Sequence, residues 1–393
     1  MTTTKIHSIW TRTFTLLCLT QILGYAQHFM LVPTLPLYVT ALGGTPFLVG
    51  LILASFAITS VIIRPVMGDW ADRWGEARVM GSGMLLQSVS VLLFLVPVVK
   101  AAMLANALRG IGWAGLNAGG YSLLALTAPF SRRGEASGYY SGVQNSASIF
   151  FPAVALWLID APFGGFRVVF TVAAALAIIG VGSGVIMAPY VPRVRRAPHS
   201  SGSSFLWREI FNLVERDVLL PASLHFWLQL SFPSITSFIV LYAREIGIGT
   251  IGSFYVLNGV TSVLARPLLG RVSDRIGRGR SLAAGFALEI IALGLLVAVS
   301  SLTGLLISGM LFVLGVAIGS STTLALAMER ANPQRRGRAM ASFSIAYPLS
   351  YGVGGFLAGS AVDLVGYFWM YLIMAGLGAV GLLVTFANWR GLK

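Results

Sequence analysis

The sequence is poor in charged residues, which occupy 10% of its 393 positions. A soluble domain carries about 25% charged residues, so this composition excludes an ordinary soluble protein. Acidic residues are the scarcer class, with 13 Asp and Glu against 27 Lys and Arg. Hydrophobic residues make up 56% of the chain, which predicts a protein with many membrane-spanning helices.

Several kinds of functional site are also missing. Cysteine occurs once, at Cys18, which excludes an internal disulfide and a metal site built from several cysteines. The sequence contains no glycine-rich phosphate loop, so ATP-driven transport is not expected. No cluster of metal ligands and no Ser-His-Asp grouping is recognisable. We therefore expect no enzyme and no cofactor, with a proton gradient as the energy source.

Long uncharged runs predict twelve membrane-spanning helices. Residues 13–63 include no charged side chain, and Gly43-Gly44-Thr45-Pro46 divides this run into two spans. The predicted helices are 13–40, 46–68, 77–99, 101–128, 135–159 and 165–190, followed by 219–244, 248–271, 279–300, 302–328, 338–362 and 366–389. The polar start of the chain leads into a first helix with no cleavage site behind it, so we expect that helix to be retained.

Six helices on each side of a polar segment predict three parts: an N-terminal bundle over 1–190, a linker over 191–218 and a C-terminal bundle over 219–393. The linker is rich in Arg, Pro, Ser and Gly at first and then amphipathic from Phe205 to Val214. This pattern predicts a flexible segment followed by a short helix on the membrane surface.

The basic residues indicate the orientation of the chain. All Lys and Arg except Lys100, Arg109, Arg167 and Arg244 fall at the termini, in the linker, or in loops that join an even-numbered helix to the next one. Basic residues accumulate on the cytoplasmic side of membrane proteins, so both termini are predicted to be cytoplasmic. This topology accounts for the net charge of +14 without nucleic acid binding.

One charged signature occurs twice at a constant spacing of about 200 residues. The first copy is Arg64-Pro65, Gly68, Asp72-Arg73, Gly75 and Arg78, and the second is Arg266-Pro267, Gly270, Asp274-Arg275, Gly277 and Arg280. Two matched loops at one spacing indicate a duplicated half-molecule. In membrane proteins such a duplication is typical of two halves that move relative to each other.

This arrangement resembles the major facilitator superfamily of secondary transporters. The two loops look like the family's loop signature, and Arg109-Gly110-Ile111-Gly112 resembles its motif in the fourth helix. The first loop departs from the family at Glu76, where a basic residue is usual. The resemblance implies an all-α integral membrane fold of two pseudo-symmetric bundles, alternating access, and a monomeric multi-pass protein of a bacterial inner membrane.

The doubled loops are candidates for a gate at the cytoplasmic mouth. Glycine permits close helix packing there, an aspartate could lie against a helix N-terminus, and the arginines could reach acids of the other half or lipid phosphates. The gating candidates are Gly68, Asp72, Arg73, Gly75, Arg78, Gly270, Asp274, Arg275, Gly277 and Arg280. The alternative is that these residues only mark turns and topology.

Ionisable residues at membrane depth are costly, and three of them are candidates for proton coupling: Arg109, Glu289 and His28. The resemblance implies a coupling role for Arg109, although an arginine near a helix end could instead extend to the interface. Glu289 corresponds to Gln87 in the repeat, and its carboxyl group could carry a proton or form a structural hydrogen bond. His28 could likewise be a packing residue.

In the resembled fold, helices 1, 4, 7 and 10 line a central cavity. The candidates for this cavity are Tyr25, Gln27, Phe29, Trp113, Asn117, Gln144, Asn145, His225, Gln229, Asn258, Tyr347 and Tyr351. They predict a cavity of neutral polar groups and aromatic rings. Prolines within the spans, at positions 33, 36, 152, 233 and 348, predict kinks.

The function predicted from these features is proton-coupled efflux of a small organic solute, either a drug or a metabolite. The fifth helix lacks the Gly-Pro-rich motif usual in antiporters of the family and carries Gly142-Val143-Gln144-Asn145-Ser146 with an isolated Pro152. Import of a sugar or carboxylate by proton symport, transport of a lipid, and a non-transporting sensor or scaffold remain the alternatives. The expected partners are the substrate and the lipid bilayer.

Overall fold

The computed structural model describes residues 9–129, 132–191, 215–249, 251–332 and 336–392. Within these ranges the regular structure is helical throughout. We call the end of the bundle where the first helix begins the inner end, and the opposite end the outer end. The predicted surface helix at 205–214 lies outside the described residues.

The first half contains six helices, of which α1 and α2 begin at a threonine cap. They are α1 (Arg12–Ala41), α2 (Pro46–Trp74), α3 (Glu76–Leu93), α4 (Val99–Thr127), α5 (Arg133–Asp160) and α6 (Phe166–Met187). The Thr11 hydroxyl accepts a hydrogen bond from the Phe14 amide at 3.2 Å, and Thr45 precedes a proline at the first position of α2. These helices begin and end close to the predicted bounds, except that α2 continues to Trp74 instead of 68 and α3 stops at Leu93 instead of 99.

The predicted continuous helix over 219–244 is wrong. Three short helices take its place: α7 (Leu219–Gln229), α8 (Phe232–Thr236) and α9 (Ile239–Glu245). A proline has no amide hydrogen, and its ring clashes with the carbonyl four residues earlier. Four residues before Pro233 is Gln229, the last residue of α7, which explains the position of the first break.

The rest of the second half consists of α10 (Gly252–Ile276), α11 (Arg278–Leu296), α12 (Leu302–Arg330), α13 (Arg336–Ser344) and α14 (Ala346–Ala387). The predicted helix over 338–362 is interrupted at Ile345, because Pro348 again lies four residues after the last residue of α13. The predicted gap before 366 is a single non-helical residue, Gly366, with a φ of 84°. In the described part of the chain, eight helices are long and apolar enough to cross a membrane. The count of twelve spans and the cytoplasmic termini stay predictions.

The two halves repeat one another in their internal contacts. In the first half, the Tyr38 hydroxyl donates to the Phe94 carbonyl at 2.5 Å and ties the outer end of α1 to the end of α3. In the second half, the Tyr242 hydroxyl donates to the Leu296 carbonyl at 2.8 Å and ties α9 to the end of α11. Corresponding tyrosines therefore make the same link, as expected of a duplicated half-molecule.

The halves pack tightly against each other at the outer end. Gly50 of α2 and Gly359 of α14 bring the two backbones together, and a Cβ atom on Gly359 would lie 2.9 Å from the Gly50 Cα. Arg244 and Asp160 form an ion pair of 3.6 Å between α9 and α5. One group of buried apolar side chains includes residues of both halves at this end. The outer end is therefore closed.

Toward the inner end, the buried apolar side chains divide into separate groups, each belonging to one half. A polar contact still joins the halves here, since the Arg64 guanidinium donates to the Ser344 hydroxyl at 2.9 Å and to its carbonyl at 3.1 Å. This contact is exposed to solvent. The structure thus has one apolar core shared by both halves at the outer end and separate apolar cores in each half at the inner end.

Candidate substrate site

A cavity lies between the halves, on the inner side of the closed outer end, and we call it the central cavity. Its volume is about 20 Å³, room for one or two water molecules in this conformation. Its lining consists of His28, Leu31, Val32 and Leu35 of α1, Leu53 and Phe56 of α2, Asn106 and Arg109 of α4, and Tyr351 of α14. Residues of both halves therefore meet at this cavity, as a site that responds to relative movement of the halves requires.

Arg109 is the charged residue of this cavity, and its side chain is 2% exposed. Its Nη1 donates to the Asn106 Oδ1 at 2.5 Å, and its Nη2 lies 3.3 Å from the His28 Nδ1. The guanidinium carbon lies 5.5 Å from the centre of the Phe56 ring. The expectation that Arg109 extends to the outer interface is wrong, because the side chain turns inward to neutral hydrogen-bond acceptors.

No carboxylate in the described part of the chain forms an ion pair with Arg109. The helices α1 and α4 contain no Asp or Glu at all. The Nε atom of Arg109 is buried and has no hydrogen-bond partner. For His28 to accept a hydrogen bond at Nδ1, that nitrogen must be unprotonated. The cavity thus combines one cation with neutral polar groups.

A group of aromatic rings continues from the cavity along α1 and α4. The His28 ring stacks on the Trp113 ring, with the two ring centres 4.3 Å apart. The centre of the Tyr25 ring lies 4.5 Å from that of Trp113. The Tyr25 hydroxyl donates to the Asn117 Oδ1 at 2.8 Å, and Phe29 lies 6.2 Å from the Tyr25 ring. The structure thus brings together five residues that were predicted separately from helices 1 and 4.

The second half contributes tyrosines next to the broken helix. The Tyr351 hydroxyl lies 3.0 Å from the Ser237 hydroxyl, between α8 and α9. The rings of Tyr347 and Tyr351 are 6.2 Å apart, and both lie near Phe232 of α8. Both tyrosines were predicted cavity residues, and Tyr351 reaches the central cavity itself.

Two predicted cavity residues of the first half point into that half instead. Gln27 is fully buried, and its Nε2 donates to the Gln87 Oε1, which links α1 to α3. Gln144 donates to the Gln21 Oε1 at 3.0 Å, which links α5 to α1. Both side chains therefore hold helices together within the first half.

The remaining cavity candidates also lie away from the central cavity. The buried His225 Nδ1 is 3.0 Å from the Thr323 hydroxyl, inside the second half. Asn145 donates to the Ser141 carbonyl one turn earlier on α5. Gln229 at the end of α7 and Asn258 on α10 each have a buried side-chain oxygen without a hydrogen-bond partner. None of these four lines the central cavity.

Glu289 is fully buried on α11, in the position that corresponds to Gln87. The Ser231 hydroxyl donates to its Oε1, and its Oε2 has no hydrogen-bond partner. Ser231 lies between α7 and α8, at the first break of the interrupted helix. The first half has an amide pair, Gln27 and Gln87, where the second half has a hydroxyl and a carboxyl group.

The doubled loops form two turns of the same shape at the inner end. Gly75 has φ 97° and ψ 139°, and Gly277 has φ 89° and ψ 156°. Residues with a Cβ atom rarely adopt this conformation, which explains glycine at both positions. Gly68 and Gly270 differ, because a Cβ atom on either would meet no atom within 4 Å. The predicted close packing at these two glycines is therefore wrong for this conformation.

The charged residues of the loops pair within their own half. Arg73 donates to the Asp69 Oδ1 at 3.0 Å, one turn earlier on α2. Arg278 donates to Asp274 at 2.8 Å and to Glu329 of α12 at 2.6 Å. Arg78, Arg275 and Arg280 are exposed, and the side chain of Asp72 lies outside the described residues. A gating role for these residues stays a prediction.

Some residues of the site were absent from the sequence-based candidates. Asn106 precedes Arg109 by three residues, so the two share a helix face, and this spacing could have indicated the pair. Ser231 and Arg278 find their partners on other helices, and no local pattern indicates such contacts.

Apolar helices in two similar halves, with a cavity lined by residues of both between them, are the architecture of a membrane transporter. Residues 17–257 and 229–390 match the model of the Major Facilitator Superfamily, and the chain belongs to this family. It is therefore a multi-pass membrane protein, as predicted.

Named relatives include drug-resistance proteins. The chain is 30% identical over 159 residues to the quinolone resistance protein NorA of Staphylococcus aureus (strain MRSA252), a match covering 40% of each protein. It is 27% identical over 282 residues to the multidrug resistance protein MdtG of Rahnella sp. (strain Y9602), covering 68% of this chain and 67% of the relative. The match to NorA thus spans about two fifths of that protein.

Solved structures share the fold across nearly the whole chain. The nucleoside transporter NupG aligns with a TM-score of 0.73 at 14% identity, covering 97% of this chain and 100% of NupG. A POT family transporter in complex with 5-aminolevulinic acid aligns with a TM-score of 0.79 at 12% identity, covering 97% of this chain and 96% of that transporter. At such identities the likeness shows the fold alone.

Proposed function

We propose that this chain is a proton-coupled exporter of small organic solutes in a bacterial inner membrane. The observation that carries this proposal is the closure of the two halves at one end only, with a cavity containing Arg109 between them. An alternating-access transporter needs such a cavity, reached from one side at a time. The resistance functions in the names of NorA and MdtG favour efflux over import.

The asymmetry between the repeats supports proton coupling through Glu289. A carboxyl group can take up and release a proton, whereas the amide of Gln87 at the matching position cannot. Glu289 accepts a hydrogen bond from Ser231 at the break between α7 and α8. Loss of its proton would place a fully buried charge beside this break, which is costly at membrane depth. Proton exchange at Glu289 would thereby favour one arrangement of the broken helix over another.

Inverted membrane vesicles containing the full chain provide the test. With the lumen acidified, protons leaving the lumen should drive a fluorescent quinolone, norfloxacin, or the dye ethidium into it. Glu289→Gln should abolish the response to the pH gradient but leave exchange of labelled against unlabelled solute intact. The matched variant Gln87→Asn, which changes the neutral counterpart, should retain the pH response.

Three results would contradict this proposal. The first is the absence of gradient-driven accumulation of either solute. The second is accumulation driven by the opposite gradient, which would indicate import. The third is a full pH response in Glu289→Gln, which would exclude Glu289 as the proton carrier.

A further inference from the structure

The unpaired charge of Arg109 has no role in the proton coupling described above. Its side chain is 2% exposed and is held by two neutral acceptors, Asn106 and His28. Within the described ranges no carboxylate forms an ion pair with it, and its Nε has no hydrogen-bond partner. An isolated charge at membrane depth is costly, and charges in such places normally pair with an opposite charge.

We propose that Arg109 binds the anionic group of the transported solute, and that the chain carries small organic anions with a carboxylate group. The inference rests on the transport function proposed above and names the substrate class of the same cavity. A bound carboxylate would supply the charge that the helices around Arg109 lack.

One edge of the guanidinium group keeps an unused donor, the buried Nε, beside Nη2, which contacts the His28 Nδ1. Nη1 is engaged by the Asn106 Oδ1, and the Asn106 Nδ2 in turn donates to the Ile52 carbonyl at 2.7 Å, which fixes the orientation of the amide. Nε and Nη2 share the other edge of the planar group, and Nε is the atom without a partner. Two parallel hydrogen bonds from such an edge are the preferred geometry between arginine and a carboxylate.

The rest of the lining is largely apolar, which matches a small apolar or aromatic body attached to the carboxylate, and the cavity must widen from this conformation to admit it. The Phe56 ring lies beside the guanidinium group, and leucine and valine side chains complete the wall. Tyr351 closes the cavity from the second half, with its hydroxyl near Ser237 of the broken helix. A solute bound to Arg109 would thus contact both halves and could sense or drive their relative movement.

Binding measurements on the purified full chain in lipid nanodiscs test the proposal. Isothermal titration in chloride-free buffer compares benzoate, benzamide and benzamidine, which have similar shapes and charges of −1, 0 and +1. Benzoate should bind about ten- to a hundredfold more tightly than the other two, as expected for hydrogen bonds to a charged group. Arg109→Gln should remove this preference, and Arg109→Lys should retain part of it.

A matched control is Arg167→Gln, which removes an exposed arginine charge from the first turn of α6 at the outer end and should leave the preference for benzoate unchanged. Equal binding of the three probes, binding of none, or a benzoate preference that survives Arg109→Gln would overturn the proposal. Chloride that displaces benzoate at equal concentration would assign the site to inorganic anions and would also overturn it. Gradient-driven transport separates this proposal from the exporter function: accumulation of the cation ethidium would overturn the anion assignment and leave the exporter function standing, whereas no accumulation of norfloxacin or ethidium would overturn the exporter function.

Discussion

Alanine in place of Gly359 should open the outer end of the transporter. A Cβ atom there would lie 2.9 Å from the Gly50 Cα and 3.0 Å from the Gly50 nitrogen, and it would also meet the Pro46 carbonyl. Ordinary contacts between such atoms are about 3.5–4.0 Å, so α2 and α14 would have to move apart by about half an ångström or more. Overpacking of this kind costs about 1–3 kcal/mol.

Only the state with the outer end closed bears this cost, because α2 and α14 separate when that end opens. At about 1.4 kcal/mol per tenfold change, the equilibrium should shift toward the outward-open state by a factor of about 5 to 150. The helix propensity gained by replacing glycine with alanine is a separate effect of about 1 kcal/mol. Gly376→Ala on the same helix controls for it, since a Cβ atom there would meet no atom within 4 Å.

Distances between spin labels across the outer end measure this shift. The single cysteine, Cys18, is replaced by serine, and labels are attached at Phe163→Cys and Leu364→Cys, whose native side chains are 69% and 81% exposed. The Gly359→Ala chain should show a larger population of long distances than the unmodified chain, and Gly376→Ala should not. Identical distance distributions in all three would refute the assignment of this glycine contact as the outer closure.

Two further substitutions test the ion pair at the outer end and the turn at the inner end. Asp160→Asn removes the 3.6 Å ion pair with Arg244, and both of these side chains are more than 40% exposed. The equilibrium between closed and open outer ends should therefore shift by less than about 1 kcal/mol, and by less still in high salt. A shift as large as that of the glycine variant would show that the pair is a principal closure. Gly277→Ala forces a Cβ atom into a φ of 89° and should lower stability in detergent by about 1–3 kcal/mol, seen as a lower thermal midpoint. Gly294→Ala, at an unstrained helical position, should not lower it, and equal midpoints for the two variants would contradict the strain at Gly277.

The fold was largely predictable because its signals are local. Apolar runs, threonine caps and the repeated loop with its obligatory glycine all act within a few residues of where they occur. Helix breaks were harder to predict. Pro233 and Pro348 coincide with breaks, yet α1 and α5 remain continuous through Pro36 and Pro152. A proline removes one hydrogen bond and crowds the carbonyl four residues earlier, and packing against neighbouring helices decides whether the helix separates there.

The residue types of the site could be predicted from the sequence, but the contacts between those residues could not. Arg109, His28 and Tyr351 were candidates because polar groups at membrane depth are costly and usually have a function. Their meeting in one cavity depends on how the second half packs against the first, which no local pattern reports. For Gln27, helical spacing defines a face of α1 but does not show whether that face meets the cavity or α3.

Access to the cavity from one membrane face at a time is the central claim, and sided labelling of a single cysteine tests it most directly. Tyr121 lies on α4 between Trp113 and the inner end, is half exposed, and contacts Tyr25. In the Cys18→Ser chain, Tyr121→Cys should react with a membrane-impermeant maleimide from the cytoplasmic face, and adding Gly359→Ala should slow that reaction. Reaction only from the outer face, or from neither face, would contradict a cavity that opens toward the cytoplasm.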